Sequence, residues 1–188
     1  MAKRAFLCAV AAIVIASGFP IAQGAEPGGT PLVARSDVAP TAGVTQALLR
    51  DIINWLAEHF DLPATDDLPG VAFTTPARMD ALRYRGLLNR HDQSGAESNT
   101  VAVYDPTSAT IYLREGWRGA TPAEMSVLVH EVVHHLQHIA NHPYACSNER
   151  EKLAYRAQER WLQRFDRSLA SEFGTDGFTL LIRTSCGF

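Results

Sequence analysis

Between Thr121 and Asn141, the apolar residues Met125, Leu128, Val129, Val132, Val133, Leu136, Ile139 and Ala140 recur at the three-and-four spacing of a helix packed into a core. The ends of this segment carry helix signals too. Thr121 is placed as N-cap, Pro122 as first helical residue and Glu124 as partner in a capping box, while Asn141 and Pro143 close the segment. Residues 44–60 repeat the pattern with Leu48, Leu49, Ile52, Ile53, Leu56 and Phe60, which predicts the first core helix. A third helix is expected over residues 149–170, with Ala154, Tyr155, Leu162, Phe165 and Leu169 on one face, Trp161 at its edge and Gly174 as its stop.

The periodicity shortens between the first two helices. Pro63, Asp66, Asp67, Pro69 and Gly70 make a loop, residues 71–73 suit a short strand, and residues 76–88 suit a short helix entered through Thr75. Residues 91–99 are polar and turn-rich. Two β-prone runs, 101–104 and 109–113, then flank Asp105-Pro106-Thr107-Ser108 as a hairpin, and residues 116–120 break the second strand before the helix at Thr121. The run at 178–182 is apolar but too short for its periodicity to separate strand from helix. No internal repeat or low-complexity tract interrupts this order, and the fold class it predicts is α+β.

Residues 1–24 read as a signal peptide: Lys3 and Arg4 precede an apolar run over 5–19, and Ala22-Gln23-Gly24 supplies a small-x-small cleavage site. The apolar run falls short of the ~20 residues of a spanning helix and Pro20 follows it, so no stable membrane insertion is expected after processing. Cys8 lies within it, but Phe6 and Leu7 do not make a lipoprotein cleavage box. Residues 25–43, with their scattered Pro, Gly and small residues, read as a flexible lead-in, and residues 44–188 as a single domain. A secreted or periplasmic location follows, and there Cys146 and Cys186 are the number of cysteines that pairs. The net charge of −3 without a basic run gives no indication of nucleic acid or an anionic membrane surface as partner.

Chemistry concentrates at His130-Glu131-Val132-Val133-His134. On a helix the two imidazoles share a face within reach of one metal ion, with Glu131 beside them. Both histidines fall off the apolar stripe, on a strip shared with Ala123, Ser126, Val127, Gln137 and Asn141 that suits a cleft wall. Neutral imidazole binds Zn²⁺ well, and a site with three protein ligands leaves the fourth position to water, whose pKa falls toward ~7. A three-histidine arrangement is excluded because its Gly and third His would fall at Gln137 and Ala140. Sharing a metal between His134 and His138 would leave Glu131 without a role. Of the acidic residues downstream, Glu151 lies in line with Tyr155, Gln158 and Leu162 on the inward stripe, and Glu149 lies nearly opposite. Glu151 is thus the candidate third ligand, against a bland reading as the capping-box partner of Asn148. Tyr155, one turn on, is a candidate oxyanion donor or a core tyrosine. Gln137 and Gln158 either orient the ligands or join the helices by hydrogen bonds, and His135 packs or hydrogen-bonds beside the site.

With Glu151 on the next helix, His130-Glu131-Val132-Val133-His134 resembles the gluzincin branch of the zincin metallopeptidases. Tyr104-Asp105, Ile111-Tyr112-Leu113, Trp117, the run Leu128 to Gln137, Ala154-Tyr155, Gln158 and Trp161-Leu162 resemble, more narrowly, small exported bacterial proteins of minimal-gluzincin type. The resemblance implies a zincin-like fold, a small antiparallel or mixed sheet on an active-site helix with a second long helix carrying the third ligand. It also implies a peptide or protein substrate aligned by the strand at 109–113 as the sheet edge. Zinc on His130, His134 and Glu151, with Glu131 as general base, would hydrolyse a peptide bond. The alternative is a non-enzymatic or inactive envelope protein that binds zinc through the same residues.

Overall fold

The structure, a computed structural model, describes residues 43–83 and 100–187. The expected signal peptide at 1–24, nearly all of the expected lead-in at 25–43, the stretch at 91–99 and the end of the helix expected over 76–88 lie outside the described residues. Helix α1 spans Gln46–His59, strand β1 Gly70–Thr74 and helix α2 Pro76–Arg83. Strands β2 (Ala102–Asp105) and β3 (Thr110–Arg114) follow, then helices α3 (Pro122–Ala140), α4 (Ser147–Gln163), α5 (Leu169–Phe173) and α6 (Gly177–Thr184). No described helix is long and apolar enough to cross a membrane. The architecture is α+β with a small mixed sheet.

The expected hairpin forms, with Tyr104 opposite Ile111 and Asp105 opposite Thr110. Strand β1 then pairs in parallel with β3, Val71 beside Ile111 and Phe73 beside Leu113, so the order is β1-β3-β2. This corrects the expectation that the strand before the metal-bearing helix is the sheet edge. β3 is central, and β2 is the edge that meets α3. A parallel partner reaches β3 through the α2 crossover, a long-range pairing on which local sequence pattern is silent.

Helix α3 is the centre of the core. Leu128, Val129, Val132, Val133 and Leu136 are fully buried against Ile52, Ile53 and Leu56 of α1 and Ile111 and Leu113 of β3. Burying each such side chain contributes roughly 1.5–3 kcal/mol, which outweighs the modest helix propensity of the valines. Ala154 and Ala157 present small side chains where α4 packs on α3, so the two helices lie close enough to share a site.

The single long helix expected over 149–170 is two helices. Helix α4 ends at Gln163, Asp166 takes a left-handed conformation with φ of 57°, and Ser168 caps α5 in a reciprocal box with Ser171. The Leu169 amide also donates to Glu159 at 2.7 Å. The interruption rotates Phe165 out of the stripe, leaving it 45% exposed, while Leu162 and Leu169 stay buried. Gly174 (φ of 60°) therefore stops α5, at the left-handed position that glycine adopts without strain. The unassigned run at 178–182 is helical in α6, opened by Asp176, whose carboxylate accepts from the Thr179 amide. A Cys146–Cys186 disulfide, with Cα atoms 5.8 Å apart, ties the segment after α6 to the start of α4.

Candidate metal centre

Helix α3 holds the two imidazoles rigidly. Thr121 caps it through the Glu124 amide, Glu124 reaches back to the Ala120 amide, one residue earlier than a capping box requires, and Asn141 closes it in the left-handed conformation. His130 and His134 are 4% and 8% exposed, and Glu151 of α4 is 5% exposed beside them. His130 Nε2 lies 3.1 Å from Glu151 Oε2, His134 Nε2 3.3 Å from Glu151 Oε1, and the two Nε2 atoms 3.2 Å from each other. Ligand atoms held tetrahedrally at zinc-like bond lengths sit roughly 3.3 Å apart, so the spacing suits an ion of that size.

The protons decide what this spacing means. Gln137 donates its amide to the Arg150 carbonyl at 2.9 Å, which turns its Oε1 toward His134 Nδ1, also at 2.9 Å. Gln158 donates to Ser126 Oγ, whose own proton goes to the Ala123 carbonyl, and its Oε1 faces His130 Nδ1 at 3.0 Å. Each Nδ1 must therefore donate, and each neutral ring carries its lone pair on Nε2. Two imidazole lone pairs and a carboxylate thus converge in a buried space with no proton of their own between them. Such a group requires a cation, either a captured proton or a metal ion. Both glutamines join the helices, and each also faces an imidazole Nδ1, so the helix-joining role is compatible with one in orienting the candidate ligands.

The electrostatics agree. Burial works against the charged His134 ring, but the Glu151 carboxylate, with Glu131 adding to it, outweighs burial and raises its pKa. Burial also opposes ionisation of Glu151, yet His134 and the contacts with both imidazoles hold its carboxyl well below the usual range. Among the described residues, His130, His134 and Glu151 are the group of side chains able to hold a metal ion. The capping alternative for Glu151 fails for a local reason. Cys146 occupies the N-cap of α4, and Glu149, three residues on, bonds back to the Ala145 amide, leaving Glu151 to point inward.

Glu131 is outside the triad. Its Oε2 accepts the Tyr104 amide of β2 at 2.8 Å, so the sheet edge orients the carboxylate next to the candidate ligands. Tyr104 continues outward to His135 Nδ1 at 3.2 Å, and His135 Nε2 reaches the Asp67 carbonyl at 2.8 Å. His135 is thus buried beside the site as a strut between β2 and the loop before β1. Tyr155 is buried against the His130 ring at 4.9 Å between centroids, and burial pushes its phenol up to about 12. His138 and His142 are exposed, but with Tyr104, Tyr144 and Arg150 they line a cleft that opens onto His134. His59 bonds to the Trp55 carbonyl away from the site, and His91 lies outside the described residues.

The sequence reading missed Arg183, whose Nη1 lies 3.2 Å from the Tyr155 phenol. The signal that could have found it is Cys186, three residues later, since the expected disulfide returns the C-terminal segment to the helices of the candidate centre. It also missed Arg150, the cation of the cleft, which neighbours Glu151 in sequence. No curated protein and no solved structure matches the chain. The model of one family, described as a domain of unknown function (DUF6647), matches residues 41–187, which take in every described residue and the candidate metal-binding group, and the protein belongs to that family.

Proposed function

We propose that the protein is an exported zinc-dependent metallopeptidase with a zincin-like arrangement of site and sheet. The observation that carries the reading is the convergence of the His130 and His134 lone pairs on Glu151, with each imidazole proton committed to a glutamine. Two imidazoles and a carboxylate at tetrahedral spacing suit zinc, and a group of three leaves a coordination position for catalysis. Export is supported by the signal-like residues 1–24 and by the disulfide. When bound, zinc supplies Lewis-acid polarisation of the scissile carbonyl and lowers the pKa of the attacking water. Glu131, aimed by the Tyr104 amide, takes the water's proton and returns it to the leaving amine. Tyr155 keeps its proton throughout the neutral range and offers it to the carbonyl oxygen as negative charge develops there. The edge of β2 would receive an extended peptide or protein substrate as an added strand, a role the family resemblance alone would have given to β3. Metal analysis of the purified mature protein, with a peptide library assayed on wild type and Glu131→Gln, tests the reading. Lack of near-stoichiometric zinc at neutral pH would sink it.

Two further outcomes are expected. Gln158→Leu or Gln137→Leu removes the group that fixes an imidazole proton on Nδ1, so zinc affinity should fall about 10–100-fold in a chelator competition titration. Unchanged affinity in both variants would refute the proton assignment. Zinc must also displace the proton that His134 holds above its ordinary pKa of 6.5. Affinity should therefore rise with pH through and beyond 6.5 until His134 has lost its proton, with proton release visible by calorimetry in buffers of different ionisation enthalpy. Glu151, ionised far into the acid range, adds no pH dependence near neutrality. Affinity that does not change between about pH 6 and 8 would contradict this.

A further inference from the structure

Helix α6 is fastened to α4 along one side. Leu180 packs into the cluster of Tyr155, Leu162 and Leu169, Asn148 donates to the Ser185 carbonyl at 3.1 Å, and Cys186 is bonded to Cys146. The opposite side, with Phe178, Leu181 and Ile182, faces outward. Arg183 lies on the fastened side, and it reaches Tyr155 rather than a carboxylate. That choice has a chemical consequence. A guanidinium can only donate, so the phenol oxygen must accept from Arg183, and the phenol's single proton has to point elsewhere. Among the described residues Arg183 is the hydrogen-bond partner of this hydroxyl. The Tyr155 ring otherwise borders the His130 ring, and its phenol feels the carboxylates of Glu151 and Glu131.

We infer that Arg183 is a positioning residue, which turns the Tyr155 proton toward the reacting oxygen, and that the Cys146–Cys186 disulfide holds it in place, making an effective site depend on oxidation of the chain. This rests on the peptidase reading above. Helix α6 thereby supplies the cationic support of the oxyanion donor. Cys186 is exposed, so a reductant can reach the bond that keeps α6 on α4.

The test uses the full mature chain with its disulfide intact, loaded with cobalt(II) in place of zinc, whose visible spectrum reports occupancy of the open position. Inorganic phosphate is the probe, as a small tetrahedral oxyanion. Tyr155→Phe and Arg183→Met should each weaken phosphate binding about tenfold, the worth of one hydrogen bond to a charged group, with cobalt content unchanged. The double variant should be no weaker than either single one, because both changes remove the same donated proton. Arg183→Lys, which keeps a donor, should recover part of the loss, and Cys146→Ala with Cys186→Ala should reproduce the Arg183→Met value. Additive losses in the double variant, or no loss in Arg183→Met, would overturn the positioning role. Full phosphate affinity without the disulfide would overturn its part in the inference. Failure of the wild-type chain to hold cobalt or zinc would overturn the peptidase reading and this inference with it, and is told apart by the metal content alone.

Discussion

Glu131→Gln is expected to lower peptide hydrolysis about 10²–10⁴-fold while zinc content stays as in the wild type. The separation follows from where Glu131 sits. Its carboxylate is not among the three side chains that could hold a metal ion, so the candidate ligand set does not need it. Its Oε2 accepts the Tyr104 amide at 2.8 Å, and a glutamine can keep that contact through its own carbonyl oxygen. The sheet edge therefore stays in place, and what disappears is the capacity to take a proton from water. Glu131→Ala is a poorer test, because it also frees the Tyr104 amide and with it the fastening of β2 to α3. Parallel measurements of zinc content and turnover on the glutamine variant check the expectation. Loss of zinc together with activity would mean that Glu131 serves the metal and not the proton, and unchanged turnover would remove it from the chemistry altogether.

The second large effect concerns the disulfide. Cys146 and Cys186 are 40 residues apart in sequence, and closing a loop of that size should stabilise the fold by about 4 kcal/mol in the chain-entropy model. Helix α6 has no buried residue of its own, so little apolar burial replaces that tie once it is cut. The double variant Cys146→Ala with Cys186→Ala should lower the denaturation midpoint. Its amide exchange should accelerate first over α6, while α3 and α4, joined by the core and by the Gln137 and Gln158 bonds, keep their protection. Equal loss of protection in α3 would show that the tie supports α3 and α4 themselves. An unchanged midpoint would show that α6 contributes nothing to the cooperative fold.

Much of the centre was legible in the sequence because it is written on single helices. His130, Glu131 and His134 share one turn of α3, and an apolar stripe with a cap at each end leaves that helix little choice of orientation. The choice of Glu151 over Glu149 was a matter of helical phase, and the structure adds the local reason that Glu149 is occupied at the start of α4. Phase misled at Phe165, which fits the stripe of a continuous helix. The reverse turn at Asp166, the Ser168 cap and the bond from Leu169 to Glu159 outweigh the spacing there. The place of β3 was hidden for another reason. Its hairpin with β2 is local, whereas its second partner arrives from 40 residues earlier in the chain, where no periodicity points to it.

By itself, the sequence determined the α+β class, the helix that presents two imidazoles and a carboxylate, the candidate third ligand and the pair of cysteines, all of which follow from spacing within one element or from residue chemistry. Only the tertiary structure decided where the protons lie, which strand edge meets Glu131 and what stands behind Tyr155. Those depend on contacts between elements: Gln158 of α4 on His130, Tyr104 of β2 on Glu131, and Arg183 of α6 on Tyr155. A periodic pattern tells which face of a helix turns inward, but the partner that meets that face is set by packing across the fold.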